Sequence, residues 1–228
     1  MCINRIMLLE REEEQLLRTV AHDLRNPIGG ISATADLLLD TKGLDEEQEE
    51  LVLLIKEAAR HSLQLVQELL VRDDVQLSGV KTFDVNELVE KSIRIVRHQA
   101  VAKHQHIQVD LSDEIIEIKV NPDHLTRVID NLLNNAIKFT PPSGQISVST
   151  ERTDQWLQLI VRDNGIGIPT ELQSKVFEGG RGQRGTQGEA SHGLGLSICK
   201  RIIESYGGTV TFQSRVGKGT IFYVWLPC

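Results

Sequence analysis

The stretch NPDHLTRVIDNLLNNAIKFT, residues 121–140, decides the fold of the C-terminal part of this chain. It predicts a helix that starts at Asn121, has Pro122 in its first turn as part of a capping arrangement, and runs to about Phe139. Short β-type runs lie on both sides of the helix, at His106 to Leu111, Ile115 to Val120, Gln145 to Glu151, Trp156 to Val161, Thr209 to Ser214 and Thr220 to Leu226. This mixture of helix and strand predicts an α/β sandwich.

Two further helices are predicted in this part of the chain. Asp84, followed three residues later by Glu87, indicates the start of a helix that runs from Val85 to about Lys103. Another helix is expected from about Gly193 to Tyr206. Because the character of the sequence changes near Gly79, the sandwich is predicted to be a separate, second domain.

The N-terminal part has a heptad pattern of apolar residues in two helical segments. The seam residues are Leu17, Ala21, Leu24, Ile28, Ile31, Ala35 and Leu38 in the first segment and Leu51, Ile55, Ala58, Ser62, Leu65 and Leu69 in the second. A break at residues 41–43 joins the segments into a helical hairpin. Such a hairpin has one apolar stripe per helix, so we expect two copies to pair into a four-helix bundle and the chain to be a homodimer.

Composition and charge restrict the classes of function. With 40% apolar residues the chain of 228 residues can fill a core, and its net charge of −7 argues against binding to nucleic acid. Cys2, Cys199 and Cys228 lack the pairing or spacing of a disulfide framework or a zinc site, which favours a reducing cytoplasm. No apolar run is long enough to cross a bilayer, so membrane attachment would require regions that are absent from this chain.

One face of the helix at residues 121–140 is polar. Asn131 and Asn135 are four residues apart and therefore share this face, and Lys138 follows one turn later. Amide oxygens suit Mg²⁺ and a lysine suits phosphate, but an ordinary solvated helix face has the same composition. This face alone leaves both interpretations open.

The motif DNGIGIP, residues 163–169, directly follows a β-type run. A buried Asp163 can accept a hydrogen bond from an exocyclic amine such as that of adenine. Gly165 and Gly167 let the backbone come close to a ligand. Taken alone, the motif is an ordinary glycine turn.

The motif HGLGLSICKRI, residues 192–202, opens a helix with Gly193 and Gly195. The dipole of this helix would meet phosphate oxygens, although a helix start with two glycines is only suggestive by itself. The Gly-rich segment before it contains Arg181 and Arg184 and is predicted to be a lid.

The first helix carries a histidine with notable neighbours. His22 is predicted to lie off the apolar seam and to face solvent, with Asp23 beside it and Asn26 one turn later. Pro27 in mid-helix removes a hydrogen bond, so the backbone should bend close to His22. An imidazole nitrogen can attack a phosphorus centre if a carboxylate such as Asp23 takes or orients the proton on the other nitrogen. The alternative is that His22 is an ordinary surface histidine on a coiled coil, without a catalytic role.

Together these motifs resemble those of one family. AHDLRNPIGGI, residues 21–31, resembles the phosphoacceptor box of histidine kinases. NLLNNAIKFT, DNGIGIP, the Gly-rich lid and GLGLSI, in that order, resemble the N, G1 and G2 boxes of the ATP-binding domain that histidine kinases share with gyrase-type, heat-shock and mismatch-repair ATPases. The resemblance implies an α+β chain, with a dimerisation and histidine phosphotransfer hairpin at residues 1–80 and a catalytic ATP-binding domain at residues 81–228.

The resemblance also implies a role for each matched residue. His22, Asp23 and Asn26 would be catalytic, with His22 as the phosphoacceptor. ATP and Mg²⁺ are the implied cofactors, and Asn135 and Asn131 would hold the metal. The implied nucleotide-binding set, in which Lys138 contacts phosphate and Asp163 reads adenine, is Asn131, Asn135, Lys138, Phe139, Asp163, Gly165, Gly167, Ile168, Arg181, Gly193, Leu194, Gly195 and Leu196.

The implied function is that of a sensor histidine kinase core. It would autophosphorylate His22 from Mg-ATP and pass the phosphoryl group to an aspartate of a response regulator receiver domain, with an additional phosphatase activity that rests on Asn26. A nucleotide-binding dimeric scaffold without kinase activity is the alternative. A hydrolysing ATPase is opposed by Asn131, because hydrolysing members of the superfamily have a glutamate there and an amide cannot take a proton from water.

Overall fold

A computed structural model describes residues 20, 23–24, 26–39, 43–45, 47–49, 51–56, 58–59, 62, 79–178, 185–187 and 195–228. The chain separates into two compact units, Met1–Gln76 and Leu77–Cys228. In the described residues, no helix is both long enough and apolar enough to span a bilayer.

The first unit contains two described helical segments, α1 (residues 26–39) and α2 (residues 51–56). The start of the second segment is marked by Asp45 and Gln48, because each backbone N–H donates to the side-chain oxygen of the other residue, at 3.2 and 2.8 Å. This reciprocal pair is a capping box. Lys56 on α2 forms an ion pair with Asp36 on α1, so the two segments lie side by side as the predicted helical hairpin.

The apolar residues of this hairpin divide into buried and exposed sets. Ala35, Val52 and Ala59 are buried. Side chains of the predicted seam remain 40 to 55% exposed in the single chain, and these are Leu24, Ile31, Leu38, Leu51 and Ile55. Seam positions Leu17, Ala21, Leu65 and Leu69 lie outside the described residues.

The second unit is a mixed α/β domain. Its elements are β1 (Lys81–Asp84), α3 (Val85–Ala102), β2 (His106–Asp110), β3 (Glu117–Val120), α4 (Pro122–Phe139), β4 (Gln145–Thr153), β5 (Trp156–Asp163), α5 (Thr170–Gln173), α6 (Gly195–Ser205), β6 (Thr209–Arg215) and β7 (Gly219–Pro227). Five strands form one sheet in the order β2-β4-β5-β7-β6, in which β2 and β4 are parallel and the other pairs antiparallel. Strands β1 and β3 form a separate antiparallel pair.

The core lies between the five-stranded sheet and the helices. Along β5, the side chains of Leu157, Leu159 and Val161 alternate with more exposed ones, as expected of a strand with one face covered. Helix α4 contacts β5 and also packs against α3 and α6. Its buried stripe consists of Leu125, Val128, Ile129, Leu132, Leu133, Ala136 and Ile137. The predicted α/β sandwich is therefore confirmed.

Strand β1 was not predicted from the sequence. It has only four residues and pairs along its whole length with β3, from Lys81 opposite Val120 to Asp84 opposite Glu117. A strand this short is specified by its partner rather than by its own pattern. The predicted helix at Val85 is confirmed, and it begins directly after this strand.

Replacing Asp84 with alanine should lower the free energy of unfolding of the second unit by about 1–2 kcal/mol. One oxygen, Oδ1, accepts from the backbone N–H of Asn86 in the first turn of α3 and from that of Ile116, at 3.1 and 3.2 Å. Asp84→Asn keeps an acceptor oxygen at this position and should lower the free energy of unfolding by less. Urea unfolding followed by the fluorescence of Trp156 and Trp225, the two tryptophans of the chain, reports on this unit. Equal losses in both variants would contradict the capping role.

Candidate functional site

The C-terminal half of α4 carries the polar face predicted from the sequence. Asn131, Asn135 and Lys138 are all half-buried and lie at helical spacings of four and three residues. The ammonium group of Lys138 is 5.5 Å from the ring centroid of Phe139, the last residue of the helix. A line of amide oxygens that ends in a cation is a donor set that fits Mg²⁺ and phosphate.

Asp163 ends β5 and is buried, with 7% of its surface exposed. Its Oδ1 accepts from the backbone N–H groups of Gly165 at 2.8 Å and Thr220 at 3.2 Å. Burial raises the pKa of this carboxyl to about 6, although both hydrogen bonds act in the opposite direction. A carboxylate held in this way lacks the hydration of an exposed one, and a ligand that donates to it would stabilise its charge.

The loop after Asp163 is pressed against the end of α4. The backbone N–H of Ile166 donates to the carbonyl of Phe139 at 3.0 Å. A Cβ on Gly165 would lie 2.2 Å from that same carbonyl oxygen, so a larger residue does not fit without moving the helix end. The glycine is therefore required for the close approach of the loop to α4.

Gly167 is also required where it stands. Its φ of +71° is a left-handed conformation, and a Cβ there would lie 2.3 Å from the carbonyl oxygen of Arg215. The next residue, Ile168, is half-buried, and its backbone N–H donates to Oγ of Ser214 at 2.8 Å. The DNGIGIP loop is thus held on one side by α4 and on the other by the end of β6.

Helix α6 begins beside the polar face of α4. A Cβ on Gly195 would lie 2.8 Å from Oδ1 of Asn131, so the absence of a side chain at 195 lets the two helices come together. Leu196, the second residue of α6, is half-buried. The structure therefore brings Asn131 and Gly195 together at the start of α6.

Some predicted site residues lie outside the described part of the chain, namely His22, Arg181, Gly193 and Leu194. Asp23 and Asn26 are described, are helical and are exposed in the first unit. The roles assigned to all of these residues stay predictions.

Sequence reasoning missed the turn between β6 and β7. Thr220 donates to Asp163, and Gly219, with φ of +91°, has its Cα so close to β5 that a Cβ would lie 2.0 Å from the Asp163 carbonyl oxygen. The signal in the sequence was the pair of glycines in VGKGT, residues 216–220, which is an ordinary turn pattern until its partner is known.

Comparison with known families agrees with this geometry. Residues 120–228 match the family described as histidine kinase-, DNA gyrase B-, and HSP90-like ATPase. Residues 12–76 match the His Kinase A (phospho-acceptor) domain. The chain belongs to the histidine kinase family. The second unit of this histidine kinase core is accordingly its ATP-binding domain.

Curated relatives extend over nearly all of the histidine kinase core. The adaptive-response sensory kinase SasA of Synechocystis sp. is 30% identical over 97% of this chain. The sensor histidine kinase ZraS of Escherichia coli is 30% identical over 91% of it. The chain spans 63% and 44% of the lengths of these two relatives.

Solved structures show the same architecture. A crystal structure of full-length ShkA in complex with AMPPNP matches 93% of this chain and 45% of that one, with a TM-score of 0.72 and 27% identity. The catalytic domain of the histidine kinase ThkA matches 65% of this chain and 97% of that one, with a TM-score of 0.58 and 26% identity. The sandwich fold, and its place after the hairpin in the order of the chain, are thus those of the family.

The preference for ATP over ITP should decrease as the pH is lowered through about 6. If Asp163 has the predicted role, its ionised carboxylate would accept from the exocyclic amine of adenine, which ITP replaces with a carbonyl oxygen. The phosphates of the two nucleotides titrate alike. Because burial raises the pKa of Asp163 to about 6, the carboxylate is ionised above that pH and protonated below it. A hydrogen bond to a charged acceptor contributes roughly 1.5–3 kcal/mol, so the preference should reach about tenfold or more above pH 6.

This preference can be measured by competition with a fluorescent nucleotide over a range of pH. The matched variant Asp163→Asn should show a small preference that does not change with pH. A wild-type preference that is constant across the range would show that Asp163 does not read the amine.

Proposed function

We propose that this chain autophosphorylates His22 from Mg-ATP and passes the phosphoryl group to an aspartate of a response regulator receiver domain. The observation that carries the proposal is the buried Asp163 at the end of β5, in a glycine loop bonded to the helix that bears Asn135 and Lys138. The same chain has a phosphoacceptor box around His22. A nucleotide site and a nucleophile are therefore encoded together.

Binding of the nucleotide would use both ends of this site. Asp163 accepts from the adenine amine, and the loop that contains Gly165 brings the backbone close to the base. Asn135 and Asn131 would hold Mg²⁺, which supplies charge neutralisation of the phosphates when bound. Lys138 would contact the phosphates directly.

Asn131 favours retention of ATP over its hydrolysis. Hydrolysing relatives have a carboxylate general base at this position, and an amide cannot accept a proton from water. The amide also lies against Gly195, where its oxygen is 2.8 Å from the position of a Cβ. We therefore expect ATP to be held until the imidazole of His22 reaches it.

The transfer step follows from the phosphoacceptor box. A nitrogen of His22 attacks the γ-phosphorus, the bond from that phosphorus to the β–γ bridging oxygen breaks, and ADP leaves with the electron pair. Asp23 takes or orients the proton on the other ring nitrogen. Asn26 would position a water for the opposite activity, dephosphorylation of the regulator.

We expect the chain to act as a homodimer that buries the open seam of the hairpin. Ile31 and Leu38 on α1 and Leu51 and Ile55 on α2 remain between 42 and 55% exposed in the single chain. Full burial of an exposed side chain of this size contributes roughly 1.5–3 kcal/mol, so covering the exposed half of each contributes about half as much. Pairing of two hairpins into a four-helix bundle would bury all of them together.

Incubation of the full chain with Mg²⁺ and γ-labelled ATP should produce a label on the protein that is lost in acid and stable in alkali, as for phosphohistidine. His22→Gln should abolish the label, because no other residue is proposed to accept the phosphoryl group. His98→Gln is the matched control, since His98 is exposed on α3, and it should keep the label. Unlabelled wild-type protein that still binds ATP would favour the scaffold without kinase activity.

Ile31→Glu should shift the chain from dimer to monomer, because a charge would have to be buried in the seam. The dissociation constant should rise by about tenfold or more, as measured by analytical ultracentrifugation. Ala33→Glu introduces the same charge at an exposed position off the seam and should leave the dimer intact. Equal effects of the two substitutions would place the dimer interface elsewhere.

A further inference from the structure

A buried lysine, Lys103, contacts the C-terminal end of α4, the helix that is proposed to bind the nucleotide. It follows α3 directly, and only 6% of its surface is exposed. Its ammonium group donates to the carbonyl of Ile137 at 2.9 Å and lies 3.3 Å from the carbonyl of Lys138. These carbonyls belong to the last turn of α4, which has no further helical residues to bond with.

A further acceptor of this ammonium group, Thr186, lies far away in the chain. Oγ1 of Thr186 is 2.9 Å from Nζ of Lys103, although the two residues are 83 positions apart. The backbone N–H of Thr186 donates to the carbonyl of Lys138 at 3.1 Å. Its hydroxyl is also within 3.1 Å of the carbonyl of Lys138 and 3.0 Å of that of Thr140. Lys103 therefore links α4 to the chain that follows α5.

The chemistry of this position suits an ammonium group. A buried charge is tolerated when its donors are satisfied, and an ammonium group has three. The negative end of the α4 dipole also favours a cation there. The neutral donor beside it, Gln105, bonds to Ile137 and Thr140 at 2.9 and 2.6 Å, so the helix end already has an uncharged cap.

The contact of Lys103 with Thr186 extends this cap beyond the helix end. Lys103 and Thr186 both donate to the carbonyl of Lys138. The side chain of Lys138 is the one that is proposed to contact the phosphates. We therefore expect a change in this cap to act more on Lys138 than on Asp163, whose carboxylate accepts from Gly165 and Thr220.

We propose that Lys103 is a positioning residue for the polyphosphate of ATP, which fixes Lys138 and the segment at Thr186 relative to each other without touching the nucleotide. The inference rests on the proposed function, because it assumes that the face bearing Lys138 meets phosphate.

The test compares the binding of Mg-ATP and of adenosine to the full chain by calorimetry. Lys103→Met keeps the length of the side chain but removes its charge and donors, and Thr186→Val removes the hydroxyl at nearly constant shape. Both substitutions should lower the affinity for Mg-ATP by about tenfold. They should lower the affinity for adenosine by less than about twofold, because adenosine lacks the polyphosphate. The double variant should lose no more affinity for Mg-ATP than the weaker-binding single variant does, because both substitutions remove the same contact between Lys103 and Thr186.

Two variants serve as controls. Thr186→Ser restores the hydroxyl and should bind ATP as the wild type does. Lys119→Met removes an exposed lysine of β3 and should leave the affinity for ATP unchanged. This control distinguishes the loss of the charge at residue 103 from a general loss of one positive charge.

Three results would each overturn the inference: equal losses of affinity for Mg-ATP and adenosine, unchanged affinity for Mg-ATP, or additive losses of affinity in the double variant. If tryptophan fluorescence shows that Lys103→Met is unfolded, Thr186→Val decides the question alone. His22 is not among the residues proposed to bind the nucleotide, so a failure of phosphotransfer leaves this readout intact. Absence of ATP binding in the wild type would instead overturn the proposed function.

Discussion

The carbonyl groups at the C-terminal end of α4 need hydrogen-bond donors from outside the helix, and the rest of the domain supplies them. The carbonyl of Ile137 is bonded by Lys103 and Gln105, that of Lys138 by Lys103 and Thr186, and that of Phe139 by the N–H of Ile166. A buried carbonyl that is left without a donor costs about 1–3 kcal/mol of stability, so the loss of any of these contacts would destabilise the domain. Because the donors come from the segments that surround the nucleotide site, satisfying the helix end also assembles the site.

The same constraint acts on the strand side of the site. Asp163 is buried at the end of β5 and accepts from Gly165 and Thr220, yet burial still raises its pKa to about 6. The folded protein thus holds a carboxylate with unmet capacity for a donor. In the proposed function a ligand amine would satisfy it, and the cost of the buried charge would then favour adenine over bases that lack this amine.

Local elements of the fold were predictable because their signals are contiguous. The caps of α3 and α4 and the alternation in β5 depend on residues within a few positions of one another, and the structure confirms these elements. Strand β1 was missed because its four residues form a ladder only with β3. In the site, Asp163, Gly165 and Lys138 were predicted from motifs, whereas Thr220 was not, because its bond to Asp163 spans 57 positions.

The sequence by itself determined the family, the two-part organisation and the predicted identity of the chemical groups, since the motifs around His22, Asn135, Asp163 and Gly195 are short and occur in a characteristic order. Only the tertiary structure decided that the loop after Asp163 bonds to the end of α4 and that Lys103 meets Thr186 there. The physical reason is that a hydrogen bond between residues 83 positions apart leaves no local pattern, whereas capping, helical periodicity and glycine turns do.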